Sequence, residues 1–328
     1  MTFNSYHGNI DLSKHAFLIT GGAGFIGSNL VEYLVQHGAG KIRVLDNLST
    51  GNLDNIQQFI GAGRIEFIEG DIRSYVGCIS AMENIDFVSH QAALGSVPRS
   101  IKDPLTSNDV NISGYLNVLT AAKEGKVKRM VYAASSSTYG DSQSLPKLED
   151  IIGKPLSPYA VTKYVNELYG NVFSDVYGFH SIGLRYFNVF GPKQNLNGAY
   201  AAVVPLFVSS ILKDESPFIN GTGENSRDFT FVSNAVQANI KALLKENIST
   251  HTVYNIACGE QTSLLGLIAS INHNLGKQIK PTFRNYREGD IMHSLADINK
   301  ARKEINYNPE VMFNEGIKQT ISFFQQQM

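Results

Sequence analysis

The chain has 328 residues, a length that allows one large domain or two of ordinary size. Its 28 lysines and arginines nearly balance 29 aspartates and glutamates, and the net charge of −1 excludes a strong general attraction to nucleic acid or anionic lipid. Apolar residues make up 43% of the chain and charged residues only 17%, below the ~25% typical of soluble domains, which indicates a folded core rather than disorder.

Cysteine, histidine and hydropathy patterns narrow the class further. The only cysteines, Cys78 and Cys258, cannot form a disulfide framework or a cysteine-based zinc site, and they are typical of a reducing compartment. The histidines have no metal-ligand spacing. No apolar run reaches the ~20 residues of a membrane helix, and the first residues lack the apolar core of a secretion signal. We therefore expect a cytoplasmic protein without a metal site, a membrane segment or a nucleic-acid partner.

Short apolar runs alternate with helical segments through the first half of the chain. Each run is almost wholly apolar, which is typical of strands buried on both faces of a parallel sheet. We predict strands at 16–20, 42–46, 65–69, 87–91, 130–135 and 181–187, and helices at 28–37, 53–60, 112–124 and 158–177. Because parallel strands need helical crossovers, the pattern predicts an α/β fold with a Rossmann-like, doubly wound parallel sheet.

The pattern changes after Asn188, where Gly191-Pro192 interrupts the chain and shorter, mixed elements follow. We predict a nucleotide-binding domain over residues 1–188, with a short N-terminal extension. Residues 189–328 are predicted to form mainly a smaller α/β substrate domain, with some segments returning to the first domain. It would cover the carboxyl ends of the strands, where such folds bind their ligands.

A glycine-rich turn joins the first predicted strand to the first helix. Gly21 permits a sharp turn, Gly24 lets the backbone approach a pyrophosphate, and Gly27 lets helix and strand pack closely. Asp46 ends the second strand, nineteen residues after Gly27. A carboxylate there binds a ribose 2′-hydroxyl and repels a 2′-phosphate, which favours NAD over NADP. Capping the following loop is the alternative for Asp46, and Asp71 could reach the adenine amine or cap a helix.

Tyr159 and Lys163 lie four residues apart at the start of a predicted helix, so their side chains share one face, ~5–6 Å apart at Cβ. A tyrosine with a pKa of ~10 is a poor base at neutral pH, and an ammonium nearby together with a cationic nicotinamide favours the phenolate. Lowering the pKa by two or three units needs only ~3–4 kcal/mol. Ser135 begins a run of hydroxyl residues at the end of the fifth strand, facing the expected cleft, although such serines can also merely end a strand.

In this combination of motifs the chain resembles the extended short-chain dehydrogenase/reductase superfamily over nearly its whole length, and within it the nucleotide-sugar 4-epimerases. Further matches are the segments 44–47, 90–93, 184–188, 227–228 and 287–290, and Asn111 ahead of Gly114. The resemblance implies a tightly bound NAD that is regenerated in each turnover. It makes Ser135 the hydrogen-bond partner of the C4 oxygen and Tyr159 the base. It makes Lys163 the residue that binds the nicotinamide ribose and lowers the tyrosine pKa.

The resemblance also implies two sets of binding residues. The cofactor set is Gly21, Gly24, Phe25, Ile26, Gly27, Asp46, Asn47, Asp71, Ile72, Gln91, Ala92, Asn111, Tyr159, Lys163 and Tyr186. The UDP-sugar set is Gly95, Ser96, Val97, Ser135, Ser136, Ser137, Asn188, Ala202, Val203, Phe218, Arg227, Arg287 and Ser294. In both arginines a planar fork suits the geometry of a diphosphate.

Three positions bear on the choice of sugar. Family members that act on UDP-glucose and UDP-galactose carry a tyrosine, an asparagine and a lysine where this chain has Ser294, Ala202 and Gly95. All three differences remove volume or charge, and together they resemble the UDP-N-acetylglucosamine 4-epimerases that supply surface polysaccharide precursors. The resemblance further implies a homodimer, formed through the helix with Tyr159 and the helix at 112–124, although its apolar residues could equally face the core.

Four alternatives remain open from the sequence. A UDP-glucose/galactose epimerase differs only in the size of its sugar pocket. A sugar-nucleotide dehydratase or decarboxylase needs an acid just after Ser135, where this chain has Ser136 and Ser137. An epimerase of UDP-N-acetylhexosaminuronic acid needs a cation near the C6 carboxylate, for which Arg99 is a candidate. A non-catalytic NAD-binding scaffold would not need the complete set of Ser135, Tyr159 and Lys163.

Overall fold

A computed structural model describes residues 1–195, 202–285 and 292–327. Within these residues, seven strands pair in parallel in the order β3-β2-β1-β4-β5-β6-β11. The first six are β1 (Ala16–Thr20), β2 (Lys41–Asp46), β3 (Glu66–Glu69), β4 (Phe87–His90), β5 (Arg129–Ser135) and β6 (Ile182–Tyr186). The remaining strands are β7 (Val189–Phe190), β8 (Phe218–Asn220), β9 (Ser226–Arg227), β10 (Thr230–Phe231), β11 (Thr252–Ile256), β12 (Thr262–Ser263) and β13 (Thr282–Arg284). The predicted Rossmann-like, doubly wound sheet is confirmed.

Helices cover both faces of this sheet and extend through the C-terminal part. They are α1 (Phe25–Gln36), α2 (Gln57–Gly61), α3 (Tyr75–Ala81), α4 (Val97–Lys102), α5 (Pro104–Asn108), α6 (Tyr115–Glu124), α7 (Pro158–Tyr177), α8 (Val203–Leu212), α9 (Val232–Leu243), α10 (Leu264–Leu275), α11 (Asn299–Ile305) and α12 (Phe313–Gln325). None of the helices in the described ranges is long and apolar enough to cross a membrane.

Local chemistry explains where the predicted helices begin and end. Helix α7 has the predicted bounds because the Ser157 side chain accepts the N–H of Ala160, Pro158 occupies the first turn, and Gly178 ends the helix in the left-handed region at φ 63°. The prediction of one helix over 53–60 is wrong, since a 3₁₀ turn (Leu53–Asn55) precedes α2. Ahead of α6 lies a π-helical turn, Asp109–Gly114, which apolar periodicity did not indicate.

Three hydrophobic clusters hold these layers together. One packs α1 and α9 on one sheet face, a second packs α3 and α6 on the other, and a third lies among α8, α10 and α12. Strand β11 pairs with β6, and α9 packs against β4, β5 and β6, so these two segments of the C-terminal half lie within the sheet layers. The domain boundary at residue 188 stays a prediction.

The sheet brings the ends of its central strands to one edge. The strand order reverses between β1 and β4, and their ends lie in register at Thr20 and His90. Ser135, at the end of β5, is in register with Tyr186 at the end of β6. Ligands of doubly wound sheets bind at the carboxyl edge beside such a reversal, so the topology predicts a ligand site at the ends of β1 and β4.

Candidate active site

A cleft of about 440 Å³ opens at this edge, a size typical of small-molecule sites. From the predicted cofactor set it is lined by Gly21, Gly24, Phe25, Ile26, Gly27, Asp46, Asn47, Ile72, Gln91, Ala92, Tyr159, Lys163 and Tyr186. From the predicted sugar set it is lined by Gly95, Ser135, Asn188 and Ala202. The structure therefore brings most of the first set and part of the second to one concave surface.

The glycine turn forms a cradle at one end of the cleft. Gly21 has φ 69°, which favours glycine, and a Cβ added to Gly27 would lie 2.1 Å from the Gly21 carbonyl oxygen. Helix α1 starts at Phe25 after Gly24, without a side-chain cap on its first N–H groups. Uncapped N–H groups and the helix dipole favour an anion at this terminus. The cradle therefore fits the diphosphate of a dinucleotide.

Asp46 stabilises this turn from the neighbouring strand. Its buried carboxylate accepts the backbone N–H of Ala23 at Oδ2 and that of Leu48 at Oδ1, both at 2.9 Å. These two bonds hold the loops on either side of Asp46. Because Asp46 also lines the cleft, its carboxylate places negative charge where a ribose would bind. Loop capping and a ribose contact, which were alternatives from the sequence, are thus compatible at this residue.

Asp71 is engaged with other side chains. The Arg73 guanidinium donates to it at 2.7 Å and 3.0 Å, and Asn47 donates to it at 2.8 Å. These bonds, those from Arg73 foremost, hold the pKa of the Asp71 carboxyl well below its usual range. The helix-capping alternative is wrong, because Ser74 caps α3 by accepting the N–H of Gly77. Its contact with adenine stays a prediction.

Lys163 lies at the floor of the cleft. Its Nζ donates to the carbonyl oxygen of Ala133 at 2.7 Å and lies 5.9 Å from the centre of the Tyr159 ring. Burial lowers the pKa of Lys163 to about 8. Burial also raises the pKa of the Tyr159 phenol, and hydrogen bonding with Ser135 opposes that rise. The pKa of Tyr159 is therefore raised by burial, with Ser135 as the opposing group, and is not lowered as the sequence predicted.

Ser135 both ends a strand and lines the cleft. Its Oγ accepts the N–H of Ser137 at 3.1 Å and the hydroxyl of Ser137 at 2.8 Å, and so caps the 3₁₀ turn that follows. With both acceptor positions used, its own hydroxyl hydrogen is the group left to donate. The predicted substrate residues Ser136 and Ser137 belong to this turn and do not line the described cleft.

Asn111, whose contact with the cofactor stays a prediction, supports the helix that carries Tyr159 and is not among the described lining residues of the cleft. It lies in the π-helical turn, where its Oδ1 accepts the N–H of Leu94 and its Nδ2 donates to Leu94 O and Thr162 Oγ1. Thr162 belongs to the same turn of α7 as Tyr159, whose backbone N–H donates to Ser100 Oγ at 3.0 Å. These bonds fix the first turn of α7 against the loop with Gly95.

A buried ion pair, absent from the predicted site, joins α7 to the sheet. Arg185 on β6 donates to both carboxylate oxygens of Glu167 at 2.9 and 2.6 Å and to the carbonyl oxygen of Glu149 at 2.8 Å. Its guanidinium also lies over the Tyr139 ring, 4.8 Å from the centre. Glu167 follows Lys163 by four residues, so the helical spacing could have indicated a side chain on the same face.

The other predicted sugar residues are spread over neighbouring elements. Ser96 caps α4, Val97 and Val203 begin α4 and α8, and Phe218 begins β8 under the Arg284 guanidinium. Arg227 donates to the carbonyl oxygens of Ser226 and Met292, and Ser294 donates its N–H to Ser226 O. None of these lines the cleft that the described residues form, and Arg99 on α4 does not either. Arg287 lies outside the described residues.

The segment that begins with β7 contributes residues that the sequence did not single out. Val189, Gln194 and Asn195 line the cleft beside Asn188. Lys193 in the same segment forms a 2.6 Å ion pair with Glu32 of α1, which joins this loop to the glycine-turn helix. The Gly191-Pro192 break was interpreted only as a boundary, although a loop at the carboxyl edge of a sheet is where binding residues concentrate.

Comparison with known proteins adds independent findings. A family model described as GDP-mannose 4,6 dehydratase matches residues 18–320. The UDP-glucose 4-epimerase of Mycolicibacterium smegmatis is 33% identical over 310 residues, which cover 94% of this chain and 97% of that protein.

Two solved structures are similar over almost the whole chain. The UDP-N-acetylglucosamine 4-epimerase of Methanobrevibacter ruminantium, in complex with UDP-N-acetylmuramic acid, is 37% identical with a TM-score of 0.90, covering 96% of this chain and 99% of that one. The UDP-glucuronic acid 4-epimerase of Bacillus cereus, in complex with UDP-glucuronic acid and NAD, is 30% identical with a TM-score of 0.89, covering 95% and 100%.

Proposed function

Because the chain belongs to the extended short-chain dehydrogenase/reductase family, we propose that it is an NAD-dependent 4-epimerase of a UDP-hexose. One observation carries the proposal: Ser135, Tyr159 and Lys163 line the same cleft as the glycine cradle at the start of α1. An alcohol-oxidising site needs this juxtaposition of a proton acceptor and a dinucleotide site. The relatives compared above are described as epimerases of UDP-sugars, which supports the same reaction class.

The described residues fit a dinucleotide in three ways. The cradle at Gly21, Gly24 and Gly27 would hold the diphosphate, Asp46 the adenosine ribose, and Lys163 the nicotinamide ribose. NAD would supply a hydride acceptor that returns the hydride in the same turnover, so the overall reaction has no net redox change.

The residues of this chain would handle the proton. Ser135 would donate a hydrogen bond to the C4 oxygen, and Tyr159 would accept the proton of the C4 hydroxyl as the carbon is oxidised and return it after the keto sugar has turned. The Lys163 ammonium, with a pKa of about 8, is mostly charged at pH 7 and favours the phenolate. Burial of Tyr159 works against ionisation, so additional positive charge at this end of the cleft is required.

We further propose UDP-N-acetylglucosamine as the substrate, with UDP-N-acetylgalactosamine as the product. The sugar must present both faces of C4 in one pocket, which therefore needs room. Gly95 and Ala202 line the cleft with no bulk. Ser294, whose N–H donates to Ser226 O, is not among the described lining residues, and its place at the sugar rests on the resemblance to the family. A serine in place of a tyrosine frees the volume of a phenyl ring, ample for an acetamido group.

Other UDP-sugars define the competing proposals. Among the described lining residues Asp46 is the single carboxylate, so these residues offer no acid beside Ser135 for the proton transfers of a dehydratase or decarboxylase. A uronic substrate would need a cation near C6, and the described lining residues offer Lys163, which the mechanism already uses. These observations favour the N-acetylated hexose over both alternatives.

The test is to incubate the purified protein, without added cofactor, in parallel with UDP-N-acetylglucosamine, UDP-glucose and their uronic forms. We expect conversion of UDP-N-acetylglucosamine to be fastest. Ser294→Tyr should suppress activity on UDP-N-acetylglucosamine by about tenfold or more and retain activity on UDP-glucose, because one bulky group removes room for the acetamide alone. Equal loss on both substrates would contradict the assignment of the pocket.

We also propose a homodimer formed through α7. Val161, Leu168, Val172 and Val176 form an exposed apolar stripe along this helix, whereas Ala160 is buried in the core. A stripe of this kind on a long helix is typical of a helix-helix interface. Sedimentation of wild type and Val172→Asp tests it, and a wild-type monomer at micromolar concentration would contradict it.

A further inference from the structure

A buried polar network lies beneath the end of the cleft that carries Tyr186. Asn239, on α9, is fully buried, and its Nδ2 donates to the Tyr186 hydroxyl at 2.6 Å and to the carbonyl oxygen of Ala235 at 2.8 Å. Its Oδ1 accepts the Ser89 hydroxyl at 3.1 Å and Gln91 Nε2 at 3.0 Å. One side chain thus uses its full hydrogen-bonding capacity within the protein.

The network closes between two residues that line the cleft. The Tyr186 hydroxyl donates to Gln91 Oε1 at 3.3 Å, and Gln91 Nε2 also donates to Ser89 Oγ at 2.9 Å. Both polar ends of the Gln91 amide are therefore held by protein groups. The predicted cofactor residues Gln91 and Tyr186 face the cleft while their polar atoms are bonded away from it.

The strands involved give this network its position. Ser89 lies in β4, Gln91 is the first residue after β4, and Tyr186 ends β6. The network therefore joins the two strands on either side of β5. Ser135 ends β5 in register with Tyr186. Asn239 reaches the network from the layer formed by α9, which packs against β4, β5 and β6. The only strand between the joined pair is the strand that carries Ser135.

We infer that Asn239 is a positioning residue, which fixes Gln91 and Tyr186 so that the cleft floor beside Ser135 holds the nicotinamide half of the cofactor in one arrangement. This inference rests on the proposed function, because it assumes a dinucleotide in the cleft. Without Asn239, the Gln91 amide and the Tyr186 hydroxyl lose buried partners. Both groups would then form hydrogen bonds with water in the adjoining cleft, and their side chains would shift at the surface on which the ligand lies.

Asn234 offers a matched control on the same helix. It is also buried, and its amide makes comparable bonds, to the backbone of Glu310 and Val311, away from the cleft. Asn239→Leu and Asn234→Leu therefore remove similar buried amides from α9, and only the first removes bonds to residues that line the cleft. Any difference between them beyond thermal stability reports the role in positioning.

The experiment measures the affinity of dinucleotide-stripped protein for NADH by fluorescence, together with kcat on UDP-N-acetylglucosamine. We expect Asn239→Leu to weaken NADH binding and lower kcat, each by about tenfold or more, while Asn234→Leu lowers the melting temperature comparably and stays within about twofold of wild type in both. Ser89→Ala removes two bonds of the network, the one that Ser89 donates to Asn239 and the one that it accepts from Gln91, and leaves those of Tyr186 intact. It should give a smaller loss and serves if Asn239→Leu does not fold.

Three results would overturn the inference: equal weakening in the two leucine variants, unchanged NADH affinity in Asn239→Leu and Ser89→Ala, or no NADH binding by the wild type. The binding readout is independent of the proposed reaction. If the wild type binds NADH but epimerises none of the tested sugars, selective weakening in Asn239→Leu still supports the positioning role, and the proposed activity alone fails.

Discussion

Replacing Arg185 by methionine tests how the catalytic helix is held on the sheet. The Arg185 and Glu167 side chains are only 4% and 5% exposed, and their bonds of 2.9 and 2.6 Å join β6 to α7 four residues beyond Lys163. Removing one partner of a buried ion pair leaves a charge without compensation and costs roughly 3–5 kcal/mol. We expect Arg185→Met to lower the free energy of unfolding by that amount and to lower kcat through displacement of α7.

Equilibrium unfolding in urea measures the effect, with the double variant Arg185→Met/Glu167→Leu as the decisive comparison. The double variant removes both charges and leaves chiefly the Glu149 carbonyl oxygen without its donor, a loss of about 1–3 kcal/mol. Arg129→Met is the control, since Arg129 donates to the carbonyl oxygens of His180 and Lys245. A double variant less stable than Arg185→Met would refute the reasoning, because the pair would then not be coupled.

Three further predictions follow from the site and the core. Tyr159→Phe should keep NADH bound and abolish turnover, and a near-wild-type rate would remove its role as base. Gly27→Ala should abolish NADH binding by fluorescence, because its Cβ would lie 2.1 Å from a backbone oxygen; wild-type affinity would contradict the cradle. Burial lowers the pKa of His90 to about 3 and that of His251 to about 4. As the pH falls below 6.5, both histidines become protonated in the unfolded state and stay neutral in the folded state. Each should therefore lower the free energy of unfolding by roughly 1.4 kcal/mol per pH unit. Burial raises the pKa of Asp228 to about 6, so below pH 6 the protonation of Asp228 in the folded state offsets the effect of one histidine. Urea unfolding at pH 7, 6 and 5 measures the sum, and a free energy of unfolding that does not fall would contradict this prediction.

The fold could be predicted from local signals because those signals agree with the tertiary structure. Apolar runs marked the six strands through β6. Helix α7 has the predicted bounds, 158–177, and the structure shows Ser157, Pro158 and Gly178 fixing its two ends. The seventh strand, Thr252–Ile256, was not assigned, although its pairing with β6 places it in the same sheet. Its position depends on the return of a distant segment, which no local pattern specifies.

The lining of the cleft was predictable to the extent that strand ends define it. Gly21, Asp46 and Ser135 follow directly from their places at strand ends. The partners of polar side chains were not predictable, because three-dimensional packing decides them. Asn111 bonds to Leu94 and Thr162 rather than facing the cleft, and the π-helical turn that orients it has no signature in apolar periodicity.

The most direct test of the account follows hydrogen and oxygen at C4 of the sugar. UDP-N-acetylglucosamine that carries deuterium and oxygen-18 at C4 is incubated with the enzyme in ordinary water, and the product is examined by mass spectrometry. Oxidation and reduction at one carbon by a retained dinucleotide predicts that both labels stay at C4 of UDP-N-acetylgalactosamine. Loss of deuterium to solvent, or exchange of the C4 oxygen, would contradict the proposed mechanism.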